Sequence, residues 1–141
     1  MRPVSESDLS SLAVLAEEFM PGEADTERRV DILTYNLRNP AYELLVAETE
    51  GRIVGFIDQW VMHDFAHGGK LSYIQNFYVT PQHRGKGFGG RLLQETIRRA
   101  EAKGVLEVHV STEFGNEPAI DIYKKHGFVR EHLQLEMNLN E

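Results

Sequence analysis

The residues best suited to chemistry lie in one run, Val79-Thr80-Pro81-Gln82-His83-Arg84-Gly85-Lys86-Gly87-Phe88-Gly89-Gly90-Arg91-Leu92. Gly85, Gly87 and Gly89 alternate, so the backbone bends freely there and can approach a ligand without a Cβ in the way. The run leads into an apolar-periodic helix, whose first N–H groups lack intrahelical partners and form an anion site reinforced by the helix dipole. Arg84 and Lys86 add positive charge at the same place. Together these residues suit a phosphate or pyrophosphate. Gly85, Gly87 and Gly90 also match the spacing of a dinucleotide-binding fingerprint. That pattern expects the loop directly after its strand and an acid ending the next strand. Here Thr80 to Arg84 intervene, and the next strand ends Val108-His109-Val110. A dinucleotide and an empty glycine turn are the weaker readings.

The elements that must carry this loop follow from periodicity. Leu9, Leu12, Leu15, Ala16 and Phe19 recur at helical spacing until Pro21-Gly22. A second helix is predicted from about Thr26 to Leu37. Tyr42 to Glu48, Gly51 to Asp64 and Leu71 to Val79 are rich in β-branched and aromatic residues, with turns at Glu50-Gly51 and His67-Gly68-Gly69, and read as an antiparallel meander. A helix follows from about Gly89 to Lys103, then a strand over Val105 to Val110 and a short helix from Pro118 to His126. The last residues alternate (Leu133, Leu135, Met137, Leu139) and read as a final strand. The order predicts a single α/β domain over residues 1–141, with about four helices on a mixed sheet of six to seven strands. The crossover through the third helix should create a parallel pair.

Composition narrows the functional classes. The 141 residues carry a formal net charge of -7 and no cysteine, which excludes a thiolate zinc site or a cysteine nucleophile and disfavours nucleic acid as a partner. No apolar run reaches membrane-spanning length, so a cytoplasmic protein without a membrane partner is expected. His63, Asp64 and His67 lack a fourth ligand, and no metal is expected. His109 alternates outward with Glu107. Tyr35, Trp60 and Phe65 could line an acceptor pocket, with Trp60 more simply core. A homodimer is the commonest assembly for such a chain.

With the loop Arg84-Gly85-Lys86-Gly87-Phe88-Gly89 in view, the chain resembles the GNAT acetyltransferase superfamily. Its cofactor loop reads [Arg/Gln]-x-x-Gly-x-[Gly/Ala]. The strand Ile74-Gln75-Asn76-Phe77-Tyr78-Val79-Thr80-Pro81 supports the match, as does Asn116-x-x-Ala119-x-x-x-Tyr123-x-x-x-Gly127-Phe128 downstream. Leu45-Val46-Ala47-Glu48 through Gly51-x-Ile53-Val54-Gly55 is similar to the family's strand hairpin, and the resemblance spans nearly the whole chain. It implies a GNAT fold with a splayed parallel strand pair and acetyl-CoA as cosubstrate. Backbone N–H groups of Arg84, Gly85, Lys86, Gly87, Phe88, Gly89 and Gly90 would then hold the coenzyme A pyrophosphate. Phe77, Tyr78 and Val79 would bind the pantetheine arm and polarise the thioester carbonyl. Asn116 would contact the arm, and is also placed to cap the helix containing Pro118. Tyr123 would be the general acid that protonates the leaving thiolate.

The implied activity is direct transfer of an acetyl group to a primary amine of a small molecule or peptide. The alternative is a catalytically weak acyl-CoA-binding sensor. Some members of the family carry a carboxylate in the strand before the cofactor loop, but Leu71 to Thr80 holds none. Glu113 and Asp58 are the named candidates for a base, behind an ordered water relay.

Overall fold

In the computed structural model, which describes residues 1–140, five strands form one sheet in the order β1-β2-β3-β4-β5. The elements run β1 (Arg2–Pro3), α1 (Leu9–Phe19), α2 (Thr26–Leu37), β2 (Tyr42–Thr49), β3 (Arg52–Asp64), β4 (Gly69–Val79), α3 (Phe88–Ala102), β5 (Glu107–Val110) and α4 (Glu117–Lys125). The first four strands pair antiparallel, and β4 with β5 is the parallel pair. Glu50 (φ 52°) and Gly51 (φ 74°) make the two-residue β2–β3 turn, both left-handed as a tight hairpin demands.

Burial explains why these sequences form these elements. Leu44, Leu45, Val46 and Ala47 are all buried, so β2 is covered on both faces and reads as a continuous apolar run. One layer packs Leu12 and Leu15 of α1 on Tyr42, Leu44, Val46 and Phe56, with Leu33 and Leu37 of α2 at its edge. The opposite layer packs Leu92 and Leu93 of α3 on Leu45, Ala47, Val54, Ile57, Ile74 and Val79. The start of α1 is tied down by Asp8, whose carboxylate takes Arg2 at 2.7 and 2.9 Å and the Ser5 amide at 2.7 Å. The Arg2 guanidinium holds the Asp8 carboxyl well below the ordinary carboxylate range.

The register of β4 contains a bulge. Ile57 faces Phe77 and Gln59 faces Ile74, so Gln75 and Asn76 together stand opposite Asp58. One extra residue in β4 therefore returns Phe77 to the same layer as Ile74, although three positions separate them.

One expectation fails. The sheet has five strands, not six to seven, because residues 129–139 form no ladder. An alternating apolar pattern gives a segment the capacity to be a strand, but a strand exists only with a partner edge. Among the described residues that segment pairs with no edge, the outer edge of β5 included. Leu133, Leu135, Met137 and Leu139 stand 69 to 85% exposed instead. No helix among the described residues is long and apolar enough to cross a membrane.

Candidate acyl-transfer site

The parallel pair is short. Residues Leu71 to Ile74 align with Glu107 to Val110, and β4 then runs on to Val79 with no β5 neighbour. The Thr80 amide donates to the Val54 carbonyl at 2.8 Å. Alternation along an antiparallel ladder therefore turns the N–H and C=O of Phe77 and Val79 away from β3 and into the gap beyond β5. A strand edge thus lies open at Phe77–Val79, with the Val79 carbonyl alone taken up, by the Arg84 side chain.

The loop after β4 is built in three steps. Pro81–His83 makes a 3₁₀ turn after Thr80. Arg84 then folds back: its Nε donates to the Val79 carbonyl at 2.8 Å, and its guanidinium lies 5.4 Å above the Tyr78 ring. Gly85 (φ 76°) and Gly87 (φ 88°) supply two left-handed residues, and α3 starts from Gly87 without a side-chain cap. The first helical bond there runs from the Arg91 amide to the Gly87 carbonyl at 3.1 Å. The helix therefore leaves the amides of Phe88, Gly89 and Gly90 for a ligand. Between Val79 and Leu92 there is no acid, but His83, Arg84, Lys86 and Arg91 are present, so a chain of net charge -7 is locally basic at this point.

The third component comes from α4. Asn116 caps it, its side-chain oxygen accepting from the Ala119 amide at 3.4 Å. Ile122 reaches Gly89: a Cβ placed on Gly89 would meet Ile122 at 3.7 Å and Phe77 at 3.6 Å. Tyr123, one residue on, lies 6.2 Å from the Phe77 ring and 5.7 Å from the Phe128 ring. Burial pushes its phenol above the ordinary value, which keeps the hydroxyl protonated at neutral pH. Residues far apart in sequence (Phe77, Gly89 and Tyr123) therefore meet at the mouth of the gap.

Other sequence candidates fall elsewhere. Asp58 is 3% exposed and clamps the β4 bulge, accepting from the Tyr42 hydroxyl at 2.7 Å and from the Asn76 amide and side chain at 2.8 Å each. It faces structure, not the gap. Glu113 is exposed on the loop after β5. Asp64 and His67 pair with one another at 2.7 Å, and no cluster fit for a metal ion occurs among the described residues. Phe65 and Tyr35 are exposed, and Trp60 packs on Tyr42 at 4.8 Å. Sequence reasoning missed two features, the Arg84 fold-back and the bulge. The only signal of the bulge was a polar pair, Gln75-Asn76, set between the apolar and aromatic residues Tyr73-Ile74 and Phe77-Tyr78-Val79.

The glycines make a test of opposite signs. Gly87→Ala forces a left-handed residue and is expected to cost about 1 kcal/mol. Gly90 has ordinary helical geometry, with open contact of 3.8 Å to His126, so Gly90→Ala should stabilise by about 0.5–1 kcal/mol. Urea unfolding of the two variants checks both signs.

The profile of the Acetyltransferase (GNAT) family matches residues 9–128, and the chain belongs to that family. It is 27% identical over 131 residues to the uncharacterized N-acetyltransferase YhfO of Bacillus subtilis, covering 91% of this chain and 88% of that one. It is 34% identical over 94 residues to a mycothiol acetyltransferase of Arthrobacter, of which it spans only 28%. The aminoglycoside acetyltransferase AAC(6')-Iy, solved with a bisubstrate analogue of coenzyme A, superposes with a TM-score of 0.85 at 20% identity, over 97% of this chain and 95% of its own. Other solved acetyltransferase chains match across 97 to 99% of this one.

Proposed function

We propose that the chain is an acetyl-CoA-dependent N-acetyltransferase that acetylates a primary amine of a small molecule or peptide. One observation supports the reading: β4 runs on past its parallel partner at Phe77–Val79, the first-turn amides of α3 that follow it lack helical acceptors, and the Tyr123 ring packs 6.2 Å from Phe77. Coenzyme A fits these donors. Its pyrophosphate matches the amides of Phe88, Gly89 and Gly90 with Lys86 beside them, and the two amides of its arm match a strand edge lacking a partner. In its acetylated form it would supply an activated acetyl thioester.

The chain's own residues then act as follows. The β4 edge orients the arm, and a backbone amide there is placed to donate to oxygen charge developing at the carbonyl. As the amine nitrogen forms its bond to the carbonyl carbon, the carbon–sulfur bond breaks. Tyr123 gives its hydroxyl proton to the departing sulfur, and the proton lost by the amine passes into water, from which the Tyr123 phenolate takes one back. Asp58 is fully engaged by neutral donors, and β4 carries no carboxylate, which favours a water relay over a direct base. The substrates for which relatives are named, among them L-methionine sulfoximine and aminoglycosides, are amines of this general class.

Thermal unfolding with acetyl-CoA, NAD or neither tests the reading. Acetyl-CoA at 100 times its Kd should stabilise by about 2.7 kcal/mol, roughly 10 °C at this size. A shift with NAD instead would overturn it. Release of free thiol with an amine panel separates an enzyme from an acyl-CoA sensor, which would show the shift without turnover.

A further inference from the structure

Acetyl transfer of the kind proposed leaves one need unmet, a base. A primary amine is an ammonium ion near neutral pH and must shed a proton before its lone pair can attack. Asp58 is closed off by its own donors, and β4 offers no carboxylate. An unused row of titratable groups lies on β5 and on the turn after β3. His109 Nε2 meets Glu107 Oε1 at 2.9 Å, and the second oxygen of Glu107 lies 3.6 Å from His67 Nε2. His67 is held in turn by Asp64 Oδ2, at 2.7 Å from its Nδ1 and 2.9 Å from its amide.

Register puts this row beside the gap. Val108 and Val110 pack in the α3 layer, so Glu107 and His109 alternate onto the opposite face. His109 stands opposite Tyr73 in the last ladder pair but one, and the two rings stack at 5.1 Å, 18° from parallel. The strands part just beyond. Tyr123 packs in the α3 layer too, which leaves the His109 face for an acceptor to approach. There His109 keeps 34% of its side chain exposed.

The chemistry of the pair is directional. An ionised Glu107 only accepts, so it fixes the proton of a neutral His109 on Nε2 and leaves the lone pair on Nδ1. That nitrogen has no partner among the described residues. His67 has both ring nitrogens aimed at carboxylates, which suits an imidazolium, and the hydrogen bond to Asp64 raises its pKa. An imidazolium there pins the free oxygen of Glu107, so the carboxylate is held against His109. The remaining charges nearby stand apart: Lys70 and His63 pair with one another on the other face, and Glu113 is exposed on the loop after β5.

We infer that His109 is the proton acceptor for the amine and that Glu107 is the residue that positions it. The ammonium gives one proton to His109 Nδ1 through ordered water, and the imidazolium so formed keeps its Nε2–H on Glu107. The neutral amine then forms its bond to the carbonyl carbon, with the second proton and the sulfur handled as already described. His109 returns its proton to bulk water before the next turnover, so the row ends the cycle unchanged. Glu107 sets the tautomer and stabilises the cation without taking the proton itself. The assignment rests on the proposed acetyl transfer.

The pH dependence of kcat/KM for one aliphatic amine tests it in wild type, His109→Gln and Glu107→Gln. His109→Gln should lose about 100-fold at pH 7, with the Kd for acetyl-CoA unchanged. The deficit should shrink as pH approaches the amine's own pKa, where free amine needs no base. A deficit that is constant with pH makes His109 a packing residue and overturns the assignment, as does no deficit. Glu107→Gln should lose about 10-fold and move the midpoint of the rising limb to lower pH, because the imidazolium loses its carboxylate. A limb that stays in place removes Glu107 from the positioning role. A wild type that binds acetyl-CoA but turns over no amine overturns the proposed function and this assignment together, whereas turnover that His109→Gln leaves intact overturns the assignment alone. Nitrogen NMR of the unaltered protein guards against a variant that fails to fold. With His109 neutral, its proton should sit on Nε2, and an Nδ1–H tautomer overturns the proposal.

Discussion

Replacing Tyr123 by Phe is expected to lower kcat about 100-fold while leaving the Kd for acetyl-CoA unchanged, the scale of loss when a positioned proton donor is removed. The substitution keeps the ring that packs on Phe77 and Phe128, at 6.2 and 5.7 Å, and deletes only the hydroxyl. That hydroxyl makes no hydrogen bond among the described residues, so stability should barely change. Burial raises the phenol above its ordinary value near 10. It therefore stays protonated through the neutral range, and Tyr123 should add no falling limb to the pH–rate profile below pH 10. Steady-state kinetics with an amine that supports turnover, with calorimetric titration of coenzyme A, checks the split. An unchanged kcat would remove Tyr123 from the chemistry. A loss of affinity equal to the loss of rate would make it a packing residue.

That expectation could be written from sequence because α4 and the glycine loop each carry a local signature. A left-handed pair before an apolar-periodic helix, and Asn116 ahead of Pro118, are signals spoken within a few residues. The antiparallel meander was legible for the same reason, its turns being marked by Glu50-Gly51 and Gly68-Gly69. What sequence could not place were features decided across the sheet. Arg84 was read as a charge for phosphate, yet its Nε is bound to the Val79 carbonyl and its charge lies over Tyr78. Its side chain ties the loop back to the strand that the loop leaves. The tail was read as a strand because its alternation is perfect, and alternation cannot say which edge a strand will find. Asp58 was read as a candidate base because a lone acid in a strand attracts attention. Only the register shows that it stands opposite two residues instead of one.

The bulge ties stability to the site, because the extra residue in β4 is what turns Phe77 toward Tyr123. Asp58 holds it with both carboxylate oxygens, and no cation is bound to it. Asp58→Ala would strand the Tyr42 hydroxyl and the Asn76 amide and side chain inside the sheet. The expected loss is about 3 kcal/mol, a fall in Tm of roughly 10 °C, with activity declining as the bulge loosens. Asp58→Asn should cost far less. The Tyr42 hydroxyl can rotate to accept, and the Asn76 side chain can turn its oxygen toward the new amide.

The pair of variants also fixes a sign. Desolvation is the largest influence on Asp58 and raises its pKa above the ordinary carboxylate value, outweighing the lowering by Asn76 and Tyr42. A group whose folded value is raised contributes most when protonated, so its contribution is lost as pH climbs from about 4 through the raised native value. Asp8, with its pKa lowered by Arg2, works in the opposite sense and weakens the fold only as pH falls below about 4. Comparing wild type with Asp58→Asn by urea unfolding from pH 4 to pH 7 cancels the Asp8 contribution and isolates Asp58. The deficit of the Asn variant should be largest at pH 4 and shrink toward pH 7. A deficit that grows with pH would mean that the buried carboxylate is stabilised as an anion, with the three donors outweighing its loss of water.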